Sequence, residues 1–377
     1  MNHHEHFWWR FFPKKEMTEI YISVAIRTFA LKLLALFVPL YLYVELEYSL
    51  QVALGFYIVY AVIFAMATPF AAKVAARIGL KHSILLSVPF YLIFYLLLYT
   101  LERYSLPVFL PAVFFGLGSA FFWISFHMEF ARSSDSKHRG EQVGKREAIV
   151  LFTGLLGPLL GGLLIDYFSF GVAFIAASVL LFFSALFLFL SEEVHVPFHL
   201  SFREMFKWDY LRNGVVFMCR GIWETAAWVL WPMFVFFILN DYTSLGILGS
   251  VTGAVSSLMF LFVGKTADKF SRRKLMAGGL SFDAITWFFR HLMFNTAQIF
   301  GVTILSVLSY AFVEVPMGAM DYDKAQKKKE QMVEFFIWRE WFICLGRILV
   351  LLVVLLTGKF MYGFILVGIS NLGYLLF

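Results

Sequence analysis

Gly264-Lys265-Thr266-Ala267-Asp268-Lys269-Phe270-Ser271-Arg272-Arg273-Lys274 and, 192 residues earlier, Ala72-Lys73-Val74-Ala75-Ala76-Arg77-Ile78-Gly79-Leu80-Lys81-His82 are two copies of one short basic loop. Each copy joins two long apolar runs. A repeat at so large a spacing points to a duplicated unit rather than a local motif.

Other matches share the spacing. Arg27 and Pro39 stand 193 residues before Arg220 and Pro232. Arg146-Glu147 precede Arg339-Glu340 by the same 193, and Met128-Glu129 precede Met320-Asp321 by 192. The chain therefore divides into two related halves, each with the same order of apolar runs and basic loops.

Composition says where those halves reside. Of 377 residues, 61% are hydrophobic, 20% aromatic and only 15% charged, and the mean hydropathy is +0.78. A soluble domain is nearer half apolar and about a quarter charged, so a water-soluble enzyme and a disordered protein are both excluded. Apolar runs at about 18–44, 50–72, 82–101, 105–131, 147–166, 168–190, 213–239, 243–263, 275–294, 298–320, 334–357 and 360–377 each suit a helix crossing roughly 30 Å of hydrocarbon. Open sheets would leave backbone groups unpaired in lipid, which favours helices throughout. The expected fold is an all-α membrane protein with twelve transmembrane helices in two six-helix bundles. Those bundles span 18–190 and 213–377, joined by a cytoplasmic loop at 191–212 and preceded by an interfacial tail at 1–17.

Charge sets the orientation. The N-terminal tail and the alternate loops hold 23 of the 31 Lys and Arg residues. The opposite loops hold Arg103 and Lys359, and carry acids such as Glu45, Glu47, Glu102, Asp166 and Asp241. The positive-inside rule then places both termini in the cytoplasm. The net charge of +6 is spread over loops facing lipid headgroups, so no nucleic-acid partner is expected. Cys219 and Cys344 lie in apolar runs and form no disulfide framework or metal cluster. His3, His4 and His6 read as part of a polar tail, and the N-terminus does not read as a cleavable signal.

With these residues in view the chain resembles a major facilitator superfamily transporter. That family's loop signature is Gly-x-x-x-Asp-Arg/Lys-x-Gly-Arg/Lys-Arg/Lys. Gly264, Asp268, Lys269, Arg272 and Arg273 fit its second copy, with Ser271 at the glycine position. The first copy keeps Arg77, Gly79 and Lys81 but has Ala76 in place of the acid. His138-Arg139-Gly140-Glu141-Gln142-Val143-Gly144 is similar to the family's loop between the fourth and fifth helices. Gly157-Pro158-Leu159-Leu160-Gly161-Gly162 is similar to a drug-antiporter motif of the fifth helix, and equally suits close helix packing. The resemblance implies alternating access about a site between the halves, with Asp268 as a cytoplasmic latch; a purely topogenic loop is the bland alternative.

Ionisable groups within the spans are costly, which makes them the sharpest functional clue. Arg27 and Arg220 are repeat mates on the first and seventh helices, which line the cavity in that family. Opposed guanidinium forks would suit a phosphate or carboxylate. Against this, Glu224 lies one turn from Arg220 and could neutralise it locally. Lys32, Arg347, Trp123 and His127 complete the expected substrate-binding set, and Glu224 and Glu314 are the candidate proton carriers. Asp283 and Arg290 lie on the ninth helix, peripheral in that family, and stay outside the set.

Gly264-Lys265-Thr266 ends like a P-loop, but Met259 stands where the first glycine belongs. No nucleotide site, cofactor or catalytic constellation is expected, so the chain is not read as an enzyme. The expected function is secondary active transport of a small, anionic solute across the cytoplasmic membrane by a monomer, driven by a proton or solute gradient. Proton-coupled export of amphipathic compounds is the first alternative. A non-transporting sensor or assembly partner on the same scaffold is the second, since a fold alone does not establish activity.

Overall fold

The computed structural model describes residues 15–104, 106–134, 139–153, 155–186, 208–267, 269–327 and 331–376, together with His195 and Phe198. The tail at 1–14, most of the loop at 191–212, and Asp268 lie outside the described residues, and with them the tail reading and the Asp268 latch.

Among the described residues every regular element is helical. In the first half these are α1 (Lys15–Lys32), α2 (Leu50–Ile78), α3 (Leu80–Leu101), α4 (Leu110–Ser133), α5 (Arg139–Thr153), α6 (Leu156–Tyr167) and α7 (Phe170–Leu186). The second half has α8 (Trp208–Thr225), α9 (Trp231–Leu239), α10 (Tyr242–Ala267), α11 (Arg272–Phe289), α12 (Thr296–Lys327), α13 (Met332–Thr357) and α14 (Phe360–Ser370).

Among the described residues, seven stretches are long and apolar enough to cross a membrane: Leu50–Ile78, Leu80–Leu101, Leu110–Arg132, Leu211–Leu239, Tyr242–Ala267, Thr296–Gln326 and Met332–Thr357. The apolar helices Leu156–Tyr167, Phe170–Ser184 and Phe360–Leu376 are shorter. Prolines explain part of the fragmentation, since a proline ring removes one backbone donor and crowds the carbonyl four residues back. The run expected at 147–166 is split into α5 and α6 just before Pro158. The first run leaves α1 through turns at Leu33–Phe37, two residues before Pro39, and ends in a π-helix at Tyr41–Glu45. At the matching place in the second half, a π-helix at Ala226–Leu230 precedes Pro232, with the Trp231 N–H reaching back to the Ala226 carbonyl. The backbone irregularity recurs at the same 193-residue spacing as the sequence.

Packing repeats too. Helix α2 lies on α4 as α10 lies on α12, and α3 on α4 as α11 on α12. Likewise α1 meets α5 as α8 meets α13, and α3 meets α7 as α11 meets α14. The contacts that join the halves are themselves repeat mates: α5 and α6 on α10, and α13 on α2. The α5–α10 seam is backbone against backbone, because a Cβ on Gly144 would stand 2.6 Å from the Phe260 carbonyl oxygen and 2.7 Å from the Gly264 Cα. Gly79, between α2 and α3, holds φ 98°, a left-handed conformation that glycine adopts without strain. Ser271 in the second copy is extended (φ −63°, ψ 112°), so the missing glycine there needs no special backbone.

Candidate substrate site between the halves

Arg27 is buried on α1, with only 4% of its surface exposed. Its guanidinium carbon sits 3.3 Å over the Phe122 ring and 4.7 Å over Tyr91. Aromatic faces cover the flat sides of the group, and its Nε and Nη2 find no hydrogen-bond acceptor among the described residues. Those two nitrogens form the side-on fork that a carboxylate or phosphate accepts in bidentate fashion. Lys32, at the end of α1, places its Nζ 3.3 Å over the Trp228 ring in the second half's π-helix. Glu147 on α5 is a carboxylate within electrostatic reach of Lys32.

Arg220, the repeat mate of Arg27, has different surroundings. Its Nε donates to Glu224 Oε1 at 2.8 Å and its Nη2 to Glu314 Oε1 at 2.5 Å. Asp321 lies 3.8 Å from its Nη1. Glu224 is shared, because Arg347 Nη2 donates to its other oxygen at 2.8 Å. Arg347 in turn donates to the Tyr60 hydroxyl on α2 at 3.4 Å, across the boundary between halves. Tyr310 donates to Glu314 Oε2 at 2.9 Å and stacks on Trp223 with ring centres 3.6 Å apart. The divergence from Arg27 has a simple origin: Phe122 occupies, 192 residues earlier, the place of Glu314. One arginine rests on an aromatic ring where its mate meets a carboxylate.

His127, on α4, reaches the second half as well. Its Nδ1 is 2.8 Å from the Tyr322 hydroxyl, and its Nε2 lies 3.2 Å from Arg339 Nη1 and 3.8 Å from Glu340. Trp123 and Phe336 stack on its ring. Arg339 also donates to Asp321 at 3.4 Å and to its neighbour Glu340. The second-half network thus holds Arg220, Arg339 and Arg347 with Glu224, Glu314, Asp321 and Glu340: three guanidiniums and four carboxylates among the described residues.

The structure therefore brings Arg220, Arg347, Glu224 and Glu314 into one network, sets His127 beside Arg339 with Trp123 stacked on the imidazole, and leaves Arg27 on its aromatic rings. Sequence reading missed Tyr60, Tyr310, Asp321, Arg339 and Glu340 as site residues. Asp321, Arg339 and Glu340 had appeared only as landmarks of the repeat, although an Arg-Glu pair inside an apolar run already signals buried charge. Of the loop motif, Gly264 and Lys81 are buried, Arg272 is half-buried, and Arg77, Lys269 and Arg273 are exposed.

Ion pairs and hydrogen bonds tie the halves together at both ends. At the basic end, Asp323 takes hydrogen bonds from Arg139 of the first half and, at 2.6 Å, from Arg272 of the second. At the other end, Tyr242 donates to Glu45 at 2.7 Å, and Asp166 accepts from the Thr243 N–H at 2.7 Å.

The sequence profile of the Major Facilitator Superfamily matches residues 20–240. The chain belongs to the major facilitator superfamily. It is 27% identical over 262 residues to the uncharacterized protein YqgE of Bacillus subtilis (strain 168), covering 64% of this chain and 59% of that one. The match thus spans less than two thirds of that relative. Among solved structures, the human organic anion transporter MFSD10 (TETRAN) superposes with a TM-score of 0.72 at 14% identity, over 96% of this chain and 98% of the other. At that identity the likeness speaks for the shared fold. A multi-pass membrane protein of the major facilitator superfamily follows from the family match and the apolar helices together.

Proposed function

We propose that this transporter moves a small anionic solute by alternating access, with Arg27 as the residue that holds the anion. The observation that carries the proposal is the open fork of Arg27, a buried guanidinium whose Nε and Nη2 lack an acceptor while its repeat mate is saturated. Lys32 adds a second positive charge on the same helix, and Tyr60 links this region to Arg347. The organic anion transporter with the same fold is consistent with this choice of charge.

Coupling to a proton would use whichever of the four carboxylates is held by the fewest cations; Asp321 has Arg220, Arg339 and Lys324 within electrostatic reach. Glu224 serves two arginines, whereas Glu314 shares one arginine and a tyrosine. Glu314 is therefore the better seat for a transported proton: taking it up neutralises the carboxylate and weakens the Arg220 contact, releasing it restores the pair, and the difference favours a change of state. The twelve spans, the bundles at 18–190 and 213–377, the cytoplasmic termini, the monomer and a place in the cytoplasmic membrane belong to the same reading.

The test is thermal stabilisation of detergent-purified protein by carboxylates, phosphate esters, sugars and lipophilic cations, followed by uptake into vesicles. A ligand at a hundred times its Kd adds about 2.7 kcal/mol. Stabilisation by anions that falls at least about tenfold in affinity in Arg27→Lys, which keeps the charge but loses the fork, is the expected result. An undiminished anion response in Arg27→Lys removes Arg27 from the site. A response to lipophilic cations alone would favour export of amphipathic compounds.

A further inference from the structure

Arg290, in a single 3-10 turn after α11, is another buried arginine, exposed by only 3% and, among the described residues, making no ion pair with the network above. Its guanidinium carbon lies 3.7 Å over the Trp287 ring and 4.3 Å over the Trp231 ring. Phe364 of α14 packs on both indoles, at 5.8 and 5.7 Å between ring centres. Arg290 Nε and Nη1 and Trp287 Nε1 are all buried donors without an acceptor among the described residues.

A buried charge is ordinarily paired. Asp283, two helical turns away, is the acid within electrostatic reach. Both its oxygens are already engaged: Ser306 donates at 2.8 Å and Ser309 at 3.3 Å to Oδ1, while Trp223 donates at 2.8 Å and Asn371 at 3.1 Å to Oδ2. The carboxylate is thus satisfied by neutral donors, whereas the guanidinium is shielded only on its faces. What is missing around Arg290 is an acceptor on its edge.

We propose that Arg290, with the Trp287 indole N–H, binds a small inorganic anion within the second half. The deep burial excludes a bulky headgroup, and the adjoining donors need a ligand that only accepts. A monoatomic halide meets both demands, because it only accepts and takes hydrogen bonds from any direction. The site is separate from Arg27 and stands whether or not Arg27 holds the transported solute.

Thermal unfolding of the purified full-length protein, titrated with sodium chloride against sodium gluconate at constant ionic strength, tests this. Chloride should raise the midpoint by about 2 °C per tenfold increase above its Kd, and gluconate should not. Arg290→Gln should abolish the difference, and Trp287→Phe, which keeps the ring and removes the N–H, should weaken the chloride affinity several-fold. Superposable chloride and gluconate curves in the unaltered protein overturn the proposal. So does an undiminished chloride response in either variant, and Trp287→Phe alone decides the matter if Arg290→Gln fails to fold.

Discussion

Arg27 and Arg220 occupy equivalent places in a duplicated chain, yet one is saturated by carboxylates and the other lies on aromatic rings. The difference comes down to two substitutions between the halves: Leu31 stands where Glu224 stands in the second half, and Phe122 where Glu314 stands. Phe122→Glu should therefore recreate the second-half pairing around Arg27. The expected outcome is a folded protein whose anion-dependent thermal stabilisation weakens at least about tenfold, an affinity loss of about 1.4 kcal/mol. Anion titrations of the variant that match the unaltered protein would dissociate Arg27 from the ligand. Sequence made the arginines visible as a pair, and the i,i+4 spacing to Glu224 was legible as local neutralisation. The aromatic lid over Arg27 was not, because it comes from Tyr91 of α3 and Phe122 of α4, and nothing in a linear chain says which rings a buried side chain meets.

Helix α10 begins between two carboxylates. Asp241 at its N-cap accepts from the Ser244 N–H at 2.5 Å, and Asp166 on α6 accepts from both the N–H and the hydroxyl of Thr243. Negative charge at a helix start satisfies exposed N–H groups and complements the helix dipole. Hydrogen bonding from Ser244 holds the Asp241 carboxyl below its usual range. Its contribution is accordingly present above the ordinary aspartate value and fades as pH falls through the lowered one. Asp241→Ala should cost about 1 kcal/mol at neutral pH, and the gap to the unaltered protein should close in acid; a pH series of melting curves checks both. At this scale the sequence was read best for helix type and worst for continuity. Runs of apolar residues mark helices clearly, but the interruptions before Pro39, Pro158 and Pro232 depend on how each helix settles around its proline, and a hydropathy window cannot register that.

Across the whole molecule, polar contacts join the halves at both ends and the charged network lies on helices that meet between them. Asp323 is the acid that Arg139 and Arg272 share. Removing its charge should loosen the basic end and shift the balance toward a state open on that side. In Asp323→Asn, a cysteine placed at Ser134 should be alkylated several-fold faster than in the unaltered background, and an unchanged rate would deny the contact any gating role. The basic loop motif pointed to this end of the molecule but to Asp268 as its acid. Asp323 went unnoticed because it lies in a run of charges, Asp321 to Lys329, that reads as an ordinary solvated helix end. Duplication, by contrast, was fully legible, since matched residues at one spacing need no knowledge of their neighbours.

The glycine-lined seam between α5 and α10 has a mechanical consequence. Side chains that interdigitate act as gear teeth and resist any change of crossing angle, while bare backbones in contact have few teeth to disengage. Gly144 of α5 against Gly264 near the basic end, and Gly246 beneath Pro158 of α6 toward the other, give α10 smooth bearing points along its length. The alternating access proposed above would rock one half against the other about such a line without unpacking either half's interior, and a single added methyl group at Gly144 would be enough to jam it.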